Sequence, residues 1–138
     1  MRMWMVDPQV LCKKHLLREH AAIHMLAGMI RAGKSLEGYV AKGLVDTSVV
    51  AARHDALAAE MVTRYFNHAS PISVPPVKTM GKVNSVASLD ELARRCEWCA
   101  LRQAGRSDFR DDFGPNFALD GDPHPDFGGR RRRFPDGL

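Results

Sequence analysis

The chain of 138 residues is 45% hydrophobic and 26% charged and carries a formal net charge of +4 at pH 7, values typical of one globular domain. No apolar run approaches the ~20 residues that a bilayer-spanning helix needs, and the N-terminus lacks a secretory-signal pattern. Three cysteines, an odd number, do not form a disulfide framework and fit reduced thiols. Taken together, these features predict a cytoplasmic protein without a membrane span.

The first predicted helix runs from about Asp7 to Arg31. The Asp7 carboxylate can accept hydrogen bonds from free backbone N–H groups, and Pro8 suits the first helical turn. Gly33 suits a left-handed cap just past the end of the helix. Residues at helical spacing predict its buried stripe, which consists of Leu16, Ile23, Leu26, Ala27 and Ile30.

The middle of the chain predicts a second long helix between two connecting segments. Residues 34–43 are interrupted by Gly38 and predict a turn or a brief helix. Thr47 is the predicted cap of the second helix, and residues 67–76, rich in proline and serine, predict the loop after it. The apolar residues at helical spacing in this helix are Val50, Leu57, Met61 and Tyr65.

A third helix is predicted from Ser88 to about Arg102, because Ser88 and Glu91 form a capping-box signature. Three helices without a convincing strand predict an all-α fold, a single compact three-helix domain of residues 1–104. The remaining residues, 105–138, are rich in glycine, proline, aspartate and arginine and predict a flexible tail.

Three features of the first 72 residues resemble the pyrimidine-dimer DNA glycosylases of the phage T4 type and their bacterial relatives. Arg2 directly follows the residue that bears the chain's amine. The segment HLLREHAAIHMLAG, residues 15–28, is similar to the family's first-helix pattern HLLGEHRELH. The segment RYFNHASP, residues 64–71, is similar to the family's RGFN or RGYNHKSP. The three occur in order and at compatible spacing over half of the chain.

The resemblance implies a DNA glycosylase with AP-lyase activity that works through its N-terminal amine. That amine, here on Met1, attacks C1′ of the damaged nucleotide, expels the base and leaves an imine, and β-elimination then cuts the strand. An α-amine has a pKa of about 7.7–8.0, so a useful fraction is neutral and nucleophilic at cellular pH. The implied partner is double-stranded DNA with damaged or abasic nucleotides, bound by a monomer.

The chain departs from the family pattern at Ala21 and Ala22, where the family has Arg-Glu. Aligned through His15, the catalytic glutamate falls on Ala22. A methyl group cannot take up a proton, and general acid–base help is worth about 10²–10⁴ in rate. Glu19, about 60° around the helix, is the candidate substitute. The alternative is an impaired family member that binds damaged or abasic DNA and is an AP lyase at most.

The resemblance and the charge distribution together predict a surface that contacts DNA. Residues 1–106 hold nine acidic and fifteen basic side chains, and this surplus of basic residues favours a polyanionic partner. The alternative interpretation is that these charges only form ordinary solvated surfaces. Trp4, between two methionines, is expected to pack the N-terminal arm onto the core rather than wedge into DNA. The residues expected to contact DNA are Arg2, Lys14, His15, Arg18, His20, His24, Arg64, Asn67 and His68.

Histidine and cysteine spacings leave two metal interpretations open. His20 and His24 lie four residues apart, a spacing that can chelate a metal, but we favour phosphate contacts because the implied family uses none. Cys96 and Cys99 could form half of a zinc site, for which Cys12 and a histidine are the only candidates elsewhere in the chain, while buried thiols explain the same residues. We therefore expect no metal and no cofactor, with a metal-stabilised interaction protein as a distant alternative.

Overall fold

The computed structural model describes residues 1–68 and 70–105, and this part of the chain is helical and contains no strand. The prediction of an all-α fold is therefore confirmed. The predicted tail, apart from residue 105, lies outside the described residues. Two single-turn 3₁₀ helices, Pro8–Val10 and Thr47–Val49, precede the longer elements. The α-helices are α1 (Lys13–Arg31), α2 (Glu37–Ala41), α3 (Val50–Thr63), α4 (Ser85–Arg95) and α5 (Glu97–Gln103).

Helix α1 begins later than the sequence predicts. Asp7 caps only the short 3₁₀ turn, where its Oδ1 accepts from the backbone N–H of Gln9 at 2.9 Å, and the chain then extends through Leu11. At the other end Gly33 has the expected left-handed conformation, with a φ of 69°. The predicted stripe faces the core against α3: Leu16, Ile23, Leu26 and Ala27 are buried, and Ile30 is half-buried.

The prediction for the second long helix holds for its core and is wrong at both ends. Thr47 lies in a 3₁₀ turn capped by Asp46, and α3 begins only at Val50. Val50, Leu57 and Met61 are buried, as the spacing predicts. Tyr65 is not a fourth member of that face, because α3 ends at Thr63 and Tyr65 is 96% exposed. Its φ of 65° is left-handed, the conformation that closes a helix and favours glycine.

The predicted third helix is two helices. Asn84 caps α4, with its Oδ1 accepting from the backbone N–H of Ala87 at 3.0 Å, so this helix begins before the predicted cap at Ser88. Cys96 is extended, with φ −139° and ψ 113°, and separates α4 from α5. Helical spacing cannot reveal this break, since neither proline nor glycine marks it.

The segments between helices lie on the core and complete the domain. The N-terminal arm, residues 1–6, is held by the backbone N–H of Met3, which donates to Leu44 O at 2.8 Å, and the Met3 side chain is fully buried. The segment between α3 and α4 is fixed to Thr47, whose hydroxyl donates to Lys78 O at 2.8 Å and accepts from Met80 N. None of the helices in the described part has the length and apolar character needed to cross a bilayer.

Candidate functional site

The N-terminal arm is anchored between α1 and α4. The Arg2 guanidinium makes two bonds to the Glu91 carboxylate, at 3.1 and 3.0 Å, and lies 3.7 Å from the centroid of the Trp4 ring. Arg95 also donates to Glu91. Trp4 is 8% exposed and meets His15 on α1 edge-on, with 5.7 Å between centroids. The arm therefore has a fixed course, and the expectation that Trp4 packs on the core is confirmed.

Met1 and Arg2 lie at the start of this anchored arm. The Met1 side chain is half-buried and packs against the core. Arg2 directs its charge to Glu91 rather than outward, and only 23% of its side chain is exposed. The hydrogen bond from Arg2, outweighing partial burial, lowers the pKa of Glu91, so this carboxylate stays ionised. Arg2 thus positions the arm within the protein, a contact that sequence reasoning did not anticipate.

Glu19 lies in an interior ion pair. Its side chain has no solvent exposure, and its two oxygens accept from Arg53 of α3, Oε2 from Nε at 2.7 Å and Oε1 from Nη2 at 3.0 Å. Arg53 also donates to Val6 O at 2.7 Å, which ties α1, α3 and the arm together. Both carboxylate oxygens are thus bound to Arg53 in the interior, and the catalytic substitution that the sequence suggested stays a prediction. Helical spacing predicted roughly which side of α1 Glu19 lies on, but it could not predict that Arg53 is its partner.

Ala22 is buried except for 9% of its surface, whereas Ala21 is exposed. On an ideal helix Ala22 lies about 20° around from His15 and two turns further along, so both residues share one face of α1. Trp4 of the arm contacts His15 on this face, near the N-terminal end of α1. The position where the family has its glutamate therefore continues the surface on which the arm packs.

The residues expected to contact DNA differ widely in exposure. Arg18 and Asn67 are exposed. Arg64 is 7% exposed, and its guanidinium donates to Leu11 O at 2.7 Å and to Glu60 Oε2 at 2.8 Å, which fixes the chain just before α1. His20 is 9% exposed. The half-buried members of the set are Arg2, Lys14, His15, His24 and His68.

Three of the predicted DNA-contacting histidines lie together with His54 of α3. Each of the four offers one ring nitrogen, and these four nitrogens all lie within 4.8 Å of one another. The Nε2 atoms of His20 and His68 are 3.0 Å apart. Burial, followed by repulsion from the neighbouring imidazoles, lowers the pKa of His20 to about 4, so this ring is neutral near pH 7. The four-histidine cluster, His20, His24, His54 and His68, is partly buried and brings together α1, α3 and the segment that follows α3.

A second cluster contains the cysteines that the sequence left as separate possibilities. Cys12, Cys96 and Cys99 are buried free thiols. His15 turns its Nδ1 toward them, 3.2 Å from Cys12 Sγ and 3.4 Å from Cys99 Sγ. The Sγ atoms of Cys12 and Cys96 are 3.8 Å apart. His15 is therefore placed among sulfur atoms, and both this cysteine–histidine cluster and the four-histidine cluster have the composition of metal sites.

The protein is all-α, and its anchored arm lies on the first helix. Comparison with known families shows which family it is related to. A family model described as pyrimidine dimer DNA glycosylase matches residues 1–74, more than half of the chain. The chain therefore belongs to the pyrimidine dimer DNA glycosylase family. Comparisons with curated proteins and with solved structures found no match. The family match spans the arm and α1 to α3, while Glu91, Cys96 and Cys99 lie beyond it.

Proposed function

We propose that this protein is a DNA-repair glycosylase with AP-lyase activity on double-stranded DNA that carries pyrimidine dimers, related lesions or abasic sites. The family match carries this proposal, since it begins at residue 1 and includes both the arm and the first helix. The anchoring of the arm to Glu91 and α1 supports it, because a nucleophile held in place loses less freedom when it reacts.

The proposed nucleophile is the α-amine of Met1. Its nitrogen forms a bond to C1′ as the bond between C1′ and the base breaks, and the base departs with the electron pair of that bond and takes up a proton. Loss of a proton from nitrogen and opening of the sugar ring give an imine. Removal of a proton from C2′ then expels the 3′ phosphate by β-elimination, and hydrolysis of the imine frees the enzyme.

The environment of Ala22 favours a second candidate function, a lyase or binding protein restricted to abasic sites. Expelling a base requires a proton and stabilisation of a cationic sugar, and Ala22 offers neither. Both oxygens of Glu19 accept from Arg53, so this second candidate gives Glu19 a structural role rather than a catalytic one. An abasic site already presents an aldehyde, so imine formation there is less affected by the missing carboxylate. We expect base excision to be slowed far more than reaction at abasic sites.

We assign the proposed phosphate contacts first to the exposed side chains of Arg18 and Asn67. Lys14 precedes Arg18 by one helical turn and extends the same face of α1. An enzyme of this class must expose a nucleotide from the stack and bend the duplex, which costs several kcal/mol that cationic contacts help to offset.

Borohydride trapping on two duplexes tests the proposal, one with a single abasic site and one irradiated with ultraviolet light. Covalent product on both supports a glycosylase with lyase activity, and product on the abasic duplex alone supports the restricted lyase. Peptide mapping should place the adduct on Met1. The matched control adds two residues ahead of Met1, which moves the amine, and a thermal melt checks that its fold is unchanged. Equal trapping by this control, or an adduct on a lysine, would exclude Met1 as the nucleophile.

A further inference from the structure

We propose that the cysteine–histidine cluster binds one structural Zn²⁺ ion, which joins the start of α1 to the junction of α4 and α5. The ligands are Cys12 Sγ, His15 Nδ1, Cys96 Sγ and Cys99 Sγ.

The distances within the cluster are those of a tetrahedral zinc site. Zinc binds thiolate sulfur at about 2.3 Å and imidazole nitrogen at about 2.0–2.1 Å, which separates two sulfurs by about 3.8 Å and sulfur from nitrogen by about 3.5 Å. The Sγ atoms of Cys12 and Cys96 are 3.8 Å apart. His15 Nδ1 lies 3.2 Å from Cys12 Sγ and 3.4 Å from Cys99 Sγ. All four ligand atoms lie within 4.8 Å of one another.

The backbone around the cluster supports thiolates rather than neutral thiols. The N–H of Cys12 points at Cys99 Sγ, 3.3 Å away, and the N–H of Cys99 points at Cys96 Sγ, 3.5 Å away. Hydrogen bonds of this kind stabilise metal-bound sulfur.

The ligands come in two pairs, each with two intervening residues. Cys12 and His15 flank the first residues of α1, and Cys96 and Cys99 flank the start of α5. This short spacing is typical of structural zinc sites. The extended conformation of Cys96 places it as the N-cap of α5, where its sulfur accepts from the N–H of Cys99.

Packing of thiols without a metal explains less of the cluster. Three buried cysteines can fill an apolar core, but the same core then holds a polar imidazole nitrogen among weak hydrogen-bonding partners. A disulfide would use two of the sulfurs and leave the third with His15. A zinc ion uses all four groups.

Metal analysis of the purified wild-type protein, reconstituted with Zn²⁺ under reducing conditions, tests the site together with the Cys99→Ser variant. We expect the variant to lose one zinc per chain relative to wild type. Leu92→Val is the matched control, since it alters a buried α4 side chain without removing a ligand, and it should keep the full content. Equal zinc in Cys99→Ser and wild type would overturn the proposal.

Cobalt substitution of the wild-type protein keeps the proposal testable if Cys99→Ser does not fold. Tetrahedral Co²⁺ bound by thiolates absorbs in the near ultraviolet through sulfur-to-metal charge transfer and shows intense visible bands. We expect both features at one equivalent of Co²⁺ and their loss on adding Zn²⁺. A Co²⁺-saturated protein without the sulfur band would show that the thiols do not bind metal.

We infer independently that the four-histidine cluster binds a second divalent transition-metal ion. Imidazole ligands suit zinc, copper, nickel and iron, and ligating nitrogens on a tetrahedral zinc lie about 3.3 Å apart. His20 and His68 approach this with 3.0 Å between their Nε2 atoms. His24 Nε2 is buried and has no partner with hydrogen-bond geometry in the described part of the chain.

His54 gives the second argument for this ion. Its Nδ1 lies 3.0 Å from Asp55 Oδ1 and its Nε2 lies 3.1 Å from Ser70 O. In the tautomer that donates from Nδ1 to Asp55 Oδ1, the lone pair on Nε2 is available to a metal ion. A carboxylate that accepts from the second nitrogen is a common partner of a metal-bound histidine.

The test uses His20→Ala, His24→Ala and, as the matched control, Met25→Ala at an exposed neighbouring position on α1. Each histidine variant should lose one equivalent of zinc while the sulfur-to-cobalt band of the other site persists. The persisting band shows that the variant is folded. Zinc content in both variants equal to that of Met25→Ala would overturn the second site and leave the first unaffected.

Discussion

Tyr65 ends α3 in a left-handed conformation that strains any residue with a Cβ atom. The family segment similar to RYFN has glycine at this place, and the Tyr65 side chain is 96% exposed, so little packing offsets the strain. We predict that Tyr65→Gly raises the free energy of unfolding by about 0.5–1 kcal/mol, because glycine avoids a strain of about 1–2 kcal/mol at some cost in chain entropy.

Urea denaturation measures this change. The control is Val62→Gly at an exposed position inside α3, where glycine should lower the free energy of unfolding by about 0.3–0.5 kcal/mol. If Tyr65→Gly destabilises the protein as much as Val62→Gly does, the left-handed conformation of Tyr65 is wrong.

Ala22 is the residue that limits the proposed chemistry. A glutamate there can protonate the leaving base and stabilise the sugar cation, so Ala22→Glu should raise the rate of base excision from irradiated duplex by up to about 10²–10⁴. Trapping on abasic DNA should change much less. Single-turnover gel assays measure both rates, and Ala21→Glu on the exposed side of α1 is the control. An unchanged excision rate in Ala22→Glu would count against the alignment through His15.

At the scale of elements, α1 and α3 are joined by the buried pair of Glu19 and Arg53. Glu19→Ala leaves the guanidinium without its partner in the interior, and we expect a loss of about 3–5 kcal/mol in the free energy of unfolding. The double variant Glu19→Leu with Arg53→Met should recover much of this loss, because no buried charge remains. Calorimetry or urea denaturation distinguishes the two. Full stability in Glu19→Ala together with lost base excision would support a catalytic role for Glu19.

The arm depends on a second ion pair, between Arg2 and Glu91. The folded protein lowers the pKa of Glu91 from its ordinary value of 4.5. The ionised carboxylate therefore stabilises the fold at pH values above 4.5, and this contribution is lost as the pH falls through the lowered pKa. Glu91→Gln should therefore be less stable than wild type near pH 7, and the difference should shrink as the pH falls below about 4.

Thermal melts across this pH range measure the contribution of Glu91, and trapping rates at pH 7 report whether the arm is loosened. Asp90→Asn is the control, because its exposed pair with Arg94 is worth little. A stability difference that is the same at pH 7 and pH 3 would contradict an ionic role for Glu91.

At the scale of the whole molecule, the surplus of basic side chains in residues 1–106 should make DNA binding depend on salt. Each neutralised phosphate releases counterions, so affinity for undamaged duplex should fall steeply between about 50 and 200 mM salt. Arg18→Ala should reduce the slope of log affinity against log salt by about one if Arg18 contacts a phosphate. Fluorescence anisotropy measures the slope, and the same slope in wild type and variant would remove Arg18 from the contact surface.

Local signals were sufficient to predict the helical elements and much of the core. The α1 stripe and the buried residues of α3 follow from apolar spacing alone, and the family relationship was visible in short segments near Arg2, His15 and Arg64. Boundaries were less predictable. The break at Cys96 and the early end of α3 depend on contacts with distant parts of the chain, which periodicity does not contain.

Sequence by itself determined the fold class, the buried face of the first helix and the family, because each depends on residues near one another in the chain. Only the tertiary structure decided where the polar side chains go. It paired Glu19 with Arg53 and Arg2 with Glu91, and it brought Cys12 and His15 together with Cys96 and Cys99 across more than eighty residues. A side chain's charge or ligand atom is known from its type, but its partner depends on how α1, α3, α4 and α5 pack, and that packing is a property of the whole domain.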